Sequence, residues 1–204
     1  MKNFYLTFIL TVILSCVLVF LSETVFQLEY GLALLIAILP IVIYGLIYFI
    51  LYIVLLRRSK ILLDSHEYDK VLSLSNQLPK WYYGGKNCSQ FHLMAAIAHF
   101  LSNNDEKFLV ESEQIVDLKW IAQKYYWRTI YFVIHDNETS AIEQFHLYIN
   151  ANSTSNKIRQ TQELEILIKV AFSNSIDQEV VNDALMHFHS ERIRKFLFDK
   201  KSIK

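Results

Sequence analysis

Glycine, proline and cysteine are all scarce in this chain of 204 residues, which has four, two and two of them respectively. No glycine-rich phosphate loop is present, and no nucleophile elbow or zinc-type Cys/His cluster. The two cysteines, Cys16 and Cys88, lie in different parts of the chain and imply no disulfide framework. A reducing compartment suits Cys88. Excess charge is missing too: 20 Lys plus Arg balance 20 Asp plus Glu. Nucleic-acid binding rests on neutralising many phosphates, so a neutral chain is a poor candidate for it.

Charge is also unevenly placed. Residues 4–56 hold only Glu23 and Glu29, while residues 57–204 have ordinary soluble composition. Phe4 to Ser22 and Gly31 to Leu56 are free of charge. A bilayer core needs about 20 helical residues, so both runs are long enough. Residues 1–56 therefore predict a transmembrane hairpin, with helices at about 4–22 and 31–56. Pro40 sits inside the second helix, which membrane helices tolerate. The stretch ILSC at 13–16 resembles a lipoprotein cleavage box, but Leu14 is bulky there and the apolar run continues through VLVFL. Lys2 precedes the first helix, and Arg57, Arg58 and Lys60 follow the second. The connector SETVFQLEY has no basic residue, so the positive-inside rule puts both termini in the cytoplasm. Richness in Ile, Leu, Asn, Lys, Phe and Tyr fits an AT-rich bacterial genome, and hence a bacterial plasma membrane. Gly31, Ala33, Ala37 and Gly45 are small positions where the first membrane helix, another copy or a larger membrane partner fits closely.

After Lys60 the apolar residues recur at helical spacing. Examples are Leu93, Ala96, Ile97 and Phe100, then Ala141, Ile142, Phe145 and Tyr148, then Leu164, Leu167, Ile168 and Ala171. Polar breakers separate them: NND at 103–105, DN at 136–137, NANSTSN at 150–156 and SNS at 173–175. TIYFVI at 129–134 has strand-like composition but continues WIAQKYYWR without a break, so it reads as helix. The fold class is all-α, with a cytoplasmic helical domain over 57–190 and a basic tail over 191–204. No Gly/Ser/Pro linker separates Leu56 from Tyr68, so the second membrane helix should run on into this domain.

Helix starts recur as DKVL at 69, EKFL at 106, TSAI at 139 and QEVV at 178. EYDKVLSL, NNDEKFL and above all AAIAHFLSNNDEKF at 95–108 resemble the tetratricopeptide repeat. The characteristic Gly and Ala positions mostly hold larger residues, and the offsets are unequal. The resemblance spans roughly residues 61–190. It implies a right-handed stack of helix pairs with a concave surface for a peptide or helix; the plainer alternative is a helical bundle.

Several groups invite chemistry. Cys88 and His92 stand four apart near a predicted helix start, where a thiol is activated by the dipole; no third residue completes an enzyme site. His187, His189 and Glu191 contain metal-ligand types, but not at the spacing of one helical face. The aromatics Trp81, Tyr82 and Tyr83, with Tyr125, Tyr126 and Trp127, suit either a partner groove or plugs between helices. Arg192, Arg194, Lys195, Lys200 and Lys201, beside Phe196 and Phe198, suit an anionic membrane surface or a solvated terminus. Arg57, Arg58 and Lys60 belong to the same membrane-surface set. The sequons at Asn87, Asn137 and Asn152 matter only in a glycosylating lumen. The expected function is a membrane-anchored adaptor, assembly or regulatory protein that is not an enzyme. It uses no cofactor or metal and binds a protein at the inner membrane face. The alternative is a small accessory or immunity-type protein acting through its membrane hairpin, and a thiol enzyme using Cys88 stands behind both.

Overall fold

The computed structural model describes residues 2–24, 30–77, 88–151, 157–173 and 178–202. Among these residues the secondary structure is helical throughout, with no strand. The helices are α1 (Lys2–Thr24), α2 (Tyr30–Asp64), α3 (Tyr68–Gln77), α4 (Ser89–Leu101), α5 (Asp105–Glu113), α6 (Leu118–Ile134), α7 (Glu138–Ala151), α8 (Lys157–Phe172), α9 (Gln178–His187) and α10 (Glu191–Ser202). TIYFVI lies inside α6, as its unbroken continuation from WIAQKYYWR requires.

α1 packs along α2. At about 1.5 Å per residue, the 35 residues of α2 reach roughly 50 Å, well beyond a bilayer core. One segment among the described residues, Ile38–Asp64, is long and apolar enough to cross a membrane. α1 contributes a shorter apolar segment, Ile9–Leu21. Phe20, Leu35 and Phe49 are each 60% exposed or more. The most apolar window of α2 has no residue buried inside the protein. A core helix of a soluble protein would be covered; so much bare apolar surface requires lipid or another protein over it. Ile38–Asp64 thus has the length, apolarity and exposure that membrane association calls for.

The same helix changes character near Tyr52. Tyr52, Ile53, Leu55, Leu56, Ser59, Leu62 and Leu63 are covered to differing degrees, whereas Leu51, Val54, Arg57, Arg58, Lys60 and Ile61 are exposed. This one-sided pattern arises because α3 and α4 pack on that face. The Tyr52 ring meets Phe91 of α4 edge-on at 5.5 Å. Helix α2 thus belongs to both parts of the molecule.

From α2 onward, sequence neighbours pack on each other, except that α5 and α6 meet mainly through side chains, Phe108 with Tyr131 and Glu113 with Lys124 and Arg128. The even-numbered helices also pack on each other in order: α2 on α4, α4 on α6, α6 on α8 and α8 on α10. One turn recurs between the members of successive pairs. His66, Asn103 and Asp136 each have φ near +60°. Each sits at the left-handed position of a Schellman turn. Their N–H groups donate to Leu63, Phe100 and Val133 carbonyls. The next N–H groups, of Glu67, Asn104 and Asn137, donate to Leu62, His99 and Phe132 carbonyls at 2.9, 2.8 and 3.0 Å. Asn, Asp and His tolerate this region better than other non-glycine residues, so glycine is dispensable here. The following helices start alike: Asn104 Oδ1 accepts from Lys107 N, and Asn137 Oδ1 from Ser140 N.

The core is built around aromatic contacts. Tyr131, Phe108, Phe100, Trp127, Tyr126 and Tyr148 form a chain of neighbouring rings from α4 to α7, with centroids 5.0–5.9 Å apart. Phe100, Phe108, Ile130, Tyr148, Leu164 and Leu167 are fully buried. Each such side chain contributes about 1.5–3 kcal/mol of burial. Residues 191–202, set apart by composition as a basic tail, form α10. Its Ile193 and Leu197 join the same core. Packing therefore continues past residue 190.

Candidate functional site

Helices α2, α4, α6 and α8 point the same way. Tyr52 of α2 lies beside Phe91 near the start of α4, and the His66–Lys70 turn lies beside Ser102 at its end. Ser89 at the start of α4 accepts from Val116 N and Asp117 N at the start of α6, at 3.1 and 3.0 Å. At the other end, Asp105 and His135 join the next pair of turns at 2.9 Å. Gln123 donates to Gln160, and Tyr126 to Glu163, aligning α6 with α8. The domain therefore has two edges. A near edge holds the starts of α4, α6 and α8, level with Tyr52. A far edge holds the Schellman turns.

Helix α10 runs across the far edge. Arg192 places its guanidinium over Phe100 at 4.4 Å, donates to the Phe100 carbonyl and pairs with Asp105 at 2.7 Å. Its side chain is only 11% exposed. Lys200 pairs with Asp136 at 3.0 Å and reaches the Ala171 carbonyl at 3.4 Å. Arg194 donates to the Leu185 carbonyl and lies over Phe198. Of the five cations grouped as membrane-facing at this end, Arg192, Arg194 and Lys200 are engaged within the protein, and Lys195 is exposed. The Lys201 side chain lies outside the described residues. Arg57, Arg58 and Lys60 are exposed on the side of α2 away from α4.

The aromatic candidates turn inward where they are described. Tyr126 is buried and donates to Glu163 Oε2 at 2.9 Å. Burial first, and the Glu163 charge second, hold its phenol well above the usual range. Glu163 is itself buried and receives Arg159 at 2.9 Å. Tyr125 and Trp127 are partly buried against the core. Trp81, Tyr82 and Tyr83 lie outside the described residues.

Cys88 is 1% exposed, at the N-cap of α4, and burial raises its thiol above the ordinary range. An activated nucleophile needs the opposite shift. His92 Nδ1 faces Glu111 Oε2 of α5 at 2.7 Å. His187 ends α9 near Asp183 at 3.5 Å, while Glu191 begins α10, so the two do not share a helix. No group of three or more His, Cys, Asp and Glu that could hold a metal ion occurs among the described residues. Asn137 caps α7, and the other two sequon asparagines lie outside the described residues.

Sequence reasoning missed the near edge. Val116 and Leu118 are 52% and 77% exposed, and Lys119 lies over the Trp120 ring at 5.3 Å. The available signal was the pair of bulky apolar residues flanking Asp117, the N-cap of α6, where a solvated helix start is usually polar. No family model, no curated protein and no solved structure matches this chain.

Proposed function

We propose that the protein is a membrane-anchored interaction module with no chemistry of its own. In this reading α1 and α2 form a transmembrane hairpin with both termini in the cytoplasm. The helices from the end of α2 to α10 form a stack of helix pairs resembling tetratricopeptide repeats, which binds a protein at the inner face of a bacterial plasma membrane. The observation that carries the reading is the double use of α2. Its uncovered apolar length ends in turns that pack on α3 and α4. The recurring Schellman turn and the ordered packing of alternate helices support a repeat stack over a bundle. The exposed Arg57, Arg58 and Lys60 support the cytoplasmic orientation.

A second reading places binding in the hairpin, as in an accessory or immunity-type membrane protein. Gly45 favours it, because a methyl group added there meets nothing within 4 Å and leaves room for another helix. The two readings separate by exchange. Residues 1–49 are replaced with an unrelated two-span hairpin, keeping Tyr52 for its contact with Phe91. The tagged chimera and the native protein are then used for affinity capture in mild detergent. A specific protein retained by both places binding in the helical domain. A partner lost from a folded chimera refutes the first reading.

A further inference from the structure

The near edge places exposed aliphatic residues directly beside Trp and Lys. Val116, just before α6, and Leu118, its first residue, are both large and apolar and stand more than half exposed. Lys119 and Trp120 follow at once, the ammonium over the indole. Trp and Lys beside exposed aliphatic side chains are the chemistry of a membrane–water interface. Ile158, in the first turn of α8, is 72% exposed and extends the edge. The α6–α8 bond between Gln123 and Gln160 sets it alongside the start of α6.

Position decides what covers this edge. Val116 N and Asp117 N are fixed to Ser89, two residues before Phe91, and Phe91 touches Tyr52. Two helical residues are about 3 Å, so the α5–α6 connection stands slightly below Tyr52, level with the turn of α2 where α3 and α4 begin to cover one face. Counting from Tyr30, about 20 residues of α2 cross a hydrocarbon core of about 30 Å and end near Ile50. The connection therefore meets the plane in which the bilayer surface falls. α10, with Arg192 and Lys200, is held at the opposite edge by Asp105 and Asp136.

From this placement we infer that the Val116–Trp120 edge is a second membrane contact. It seats Val116 and Leu118 in the lipid interface of the same bilayer that α2 enters. The inference rests on the membrane-anchored reading. It also moves the lipid-facing surface of the domain from the basic C-terminal helix to the start of α6. The domain is then held at two places, α2 and this edge, and presents its far edge to the cytoplasm.

The test uses the full chain reconstituted in vesicles of phosphatidylcholine with an anionic lipid. Cys16→Ser removes the exposed thiol, and the buried Cys88 is left in place. A nitroxide is attached in turn at Ile47→Cys in α2, Leu118→Cys at the near edge and Lys107→Cys at the far edge. Collisions with oxygen, concentrated in lipid, are compared with those of a water-soluble nickel complex. Oxygen should dominate several-fold at Ile47 and Leu118, and the ratio should reverse at Lys107. A water-like Leu118 beside a lipid-like Ile47 overturns the edge contact and leaves the anchor standing. A water-like Ile47 overturns the anchor and the edge contact together. A Leu118 label shielded from both reagents means that protein, such as a second copy, covers the edge, which also overturns the lipid contact.

Discussion

Replacing Arg192 with alanine removes three contacts at once, between residues about 90 positions apart in sequence. The guanidinium lies over Phe100 at 4.4 Å, donates to the Phe100 carbonyl and pairs with Asp105 at 2.7 Å. A desolvated cation–π contact is worth about 2 kcal/mol. A hydrogen bond from a charged group adds roughly 1.5–3 kcal/mol. The terms share one side chain and are not additive. Asp105 is a third exposed and keeps His135, so its loss of a partner costs less than in a dry core. The expected loss is about 2–4 kcal/mol. Lys195→Ala makes the same charge change on the same helix at an exposed position, and should cost no more than about 0.5 kcal/mol. Thermal unfolding of the full chain in detergent, followed by far-ultraviolet circular dichroism, compares them directly. Equal midpoints would refute the claim that α10 is a structural helix across the far edge, and would restore it as a solvated basic tail.

Tyr126→Phe leaves Glu163 buried with Arg159 alone and should cost about 1–2 kcal/mol, while Tyr125→Phe should be near neutral; the same unfolding assay reads both. Asn103 has φ 59°, so Asn103→Val should cost about 1–2 kcal/mol and Asn103→Gly little or nothing. His99 is held below its ordinary value of 6.5, chiefly by burial; Glu111 opposes this and Lys107 adds to it. The unfolded chain therefore binds this proton more readily than the folded one. Stability should be full above pH 6.5 and fall as the pH drops from there toward the lowered native value. His99→Gln should flatten that slope in chemical-denaturation curves measured across the range.

Local features of the fold were legible in sequence because they depend on near neighbours. The helix openings at 69, 106, 139 and 178 fall at the starts of α3, α5, α7 and α9, since a polar turn followed by apolar spacing is local information. The left-handed turn residues were less plain, because Asn, Asp and His replaced the glycine that usually marks them. Helix α10 was read as a tail because six basic residues surround Ile193 and Leu197, whose burial depends on helices far away in sequence. Tyr126 looked like a recognition residue for a similar reason: its partner Glu163 is 37 positions on. The near edge was only faintly legible: bulky Val116 and Leu118 flank the α6 N-cap Asp117, but their exposure depends on how α6 packs on α4 and α8.

Everything proposed depends on α2 being one rigid helix shared by membrane and domain. The direct measurement is the distance between nitroxides at Ile47 and Lys60, by pulsed electron spin resonance on the full chain in lipid nanodiscs. Thirteen helical residues predict a single narrow distribution near about 20 Å. A broad distribution would mean a flexible joint after the apolar run, and the domain would no longer be held at a fixed height above the membrane.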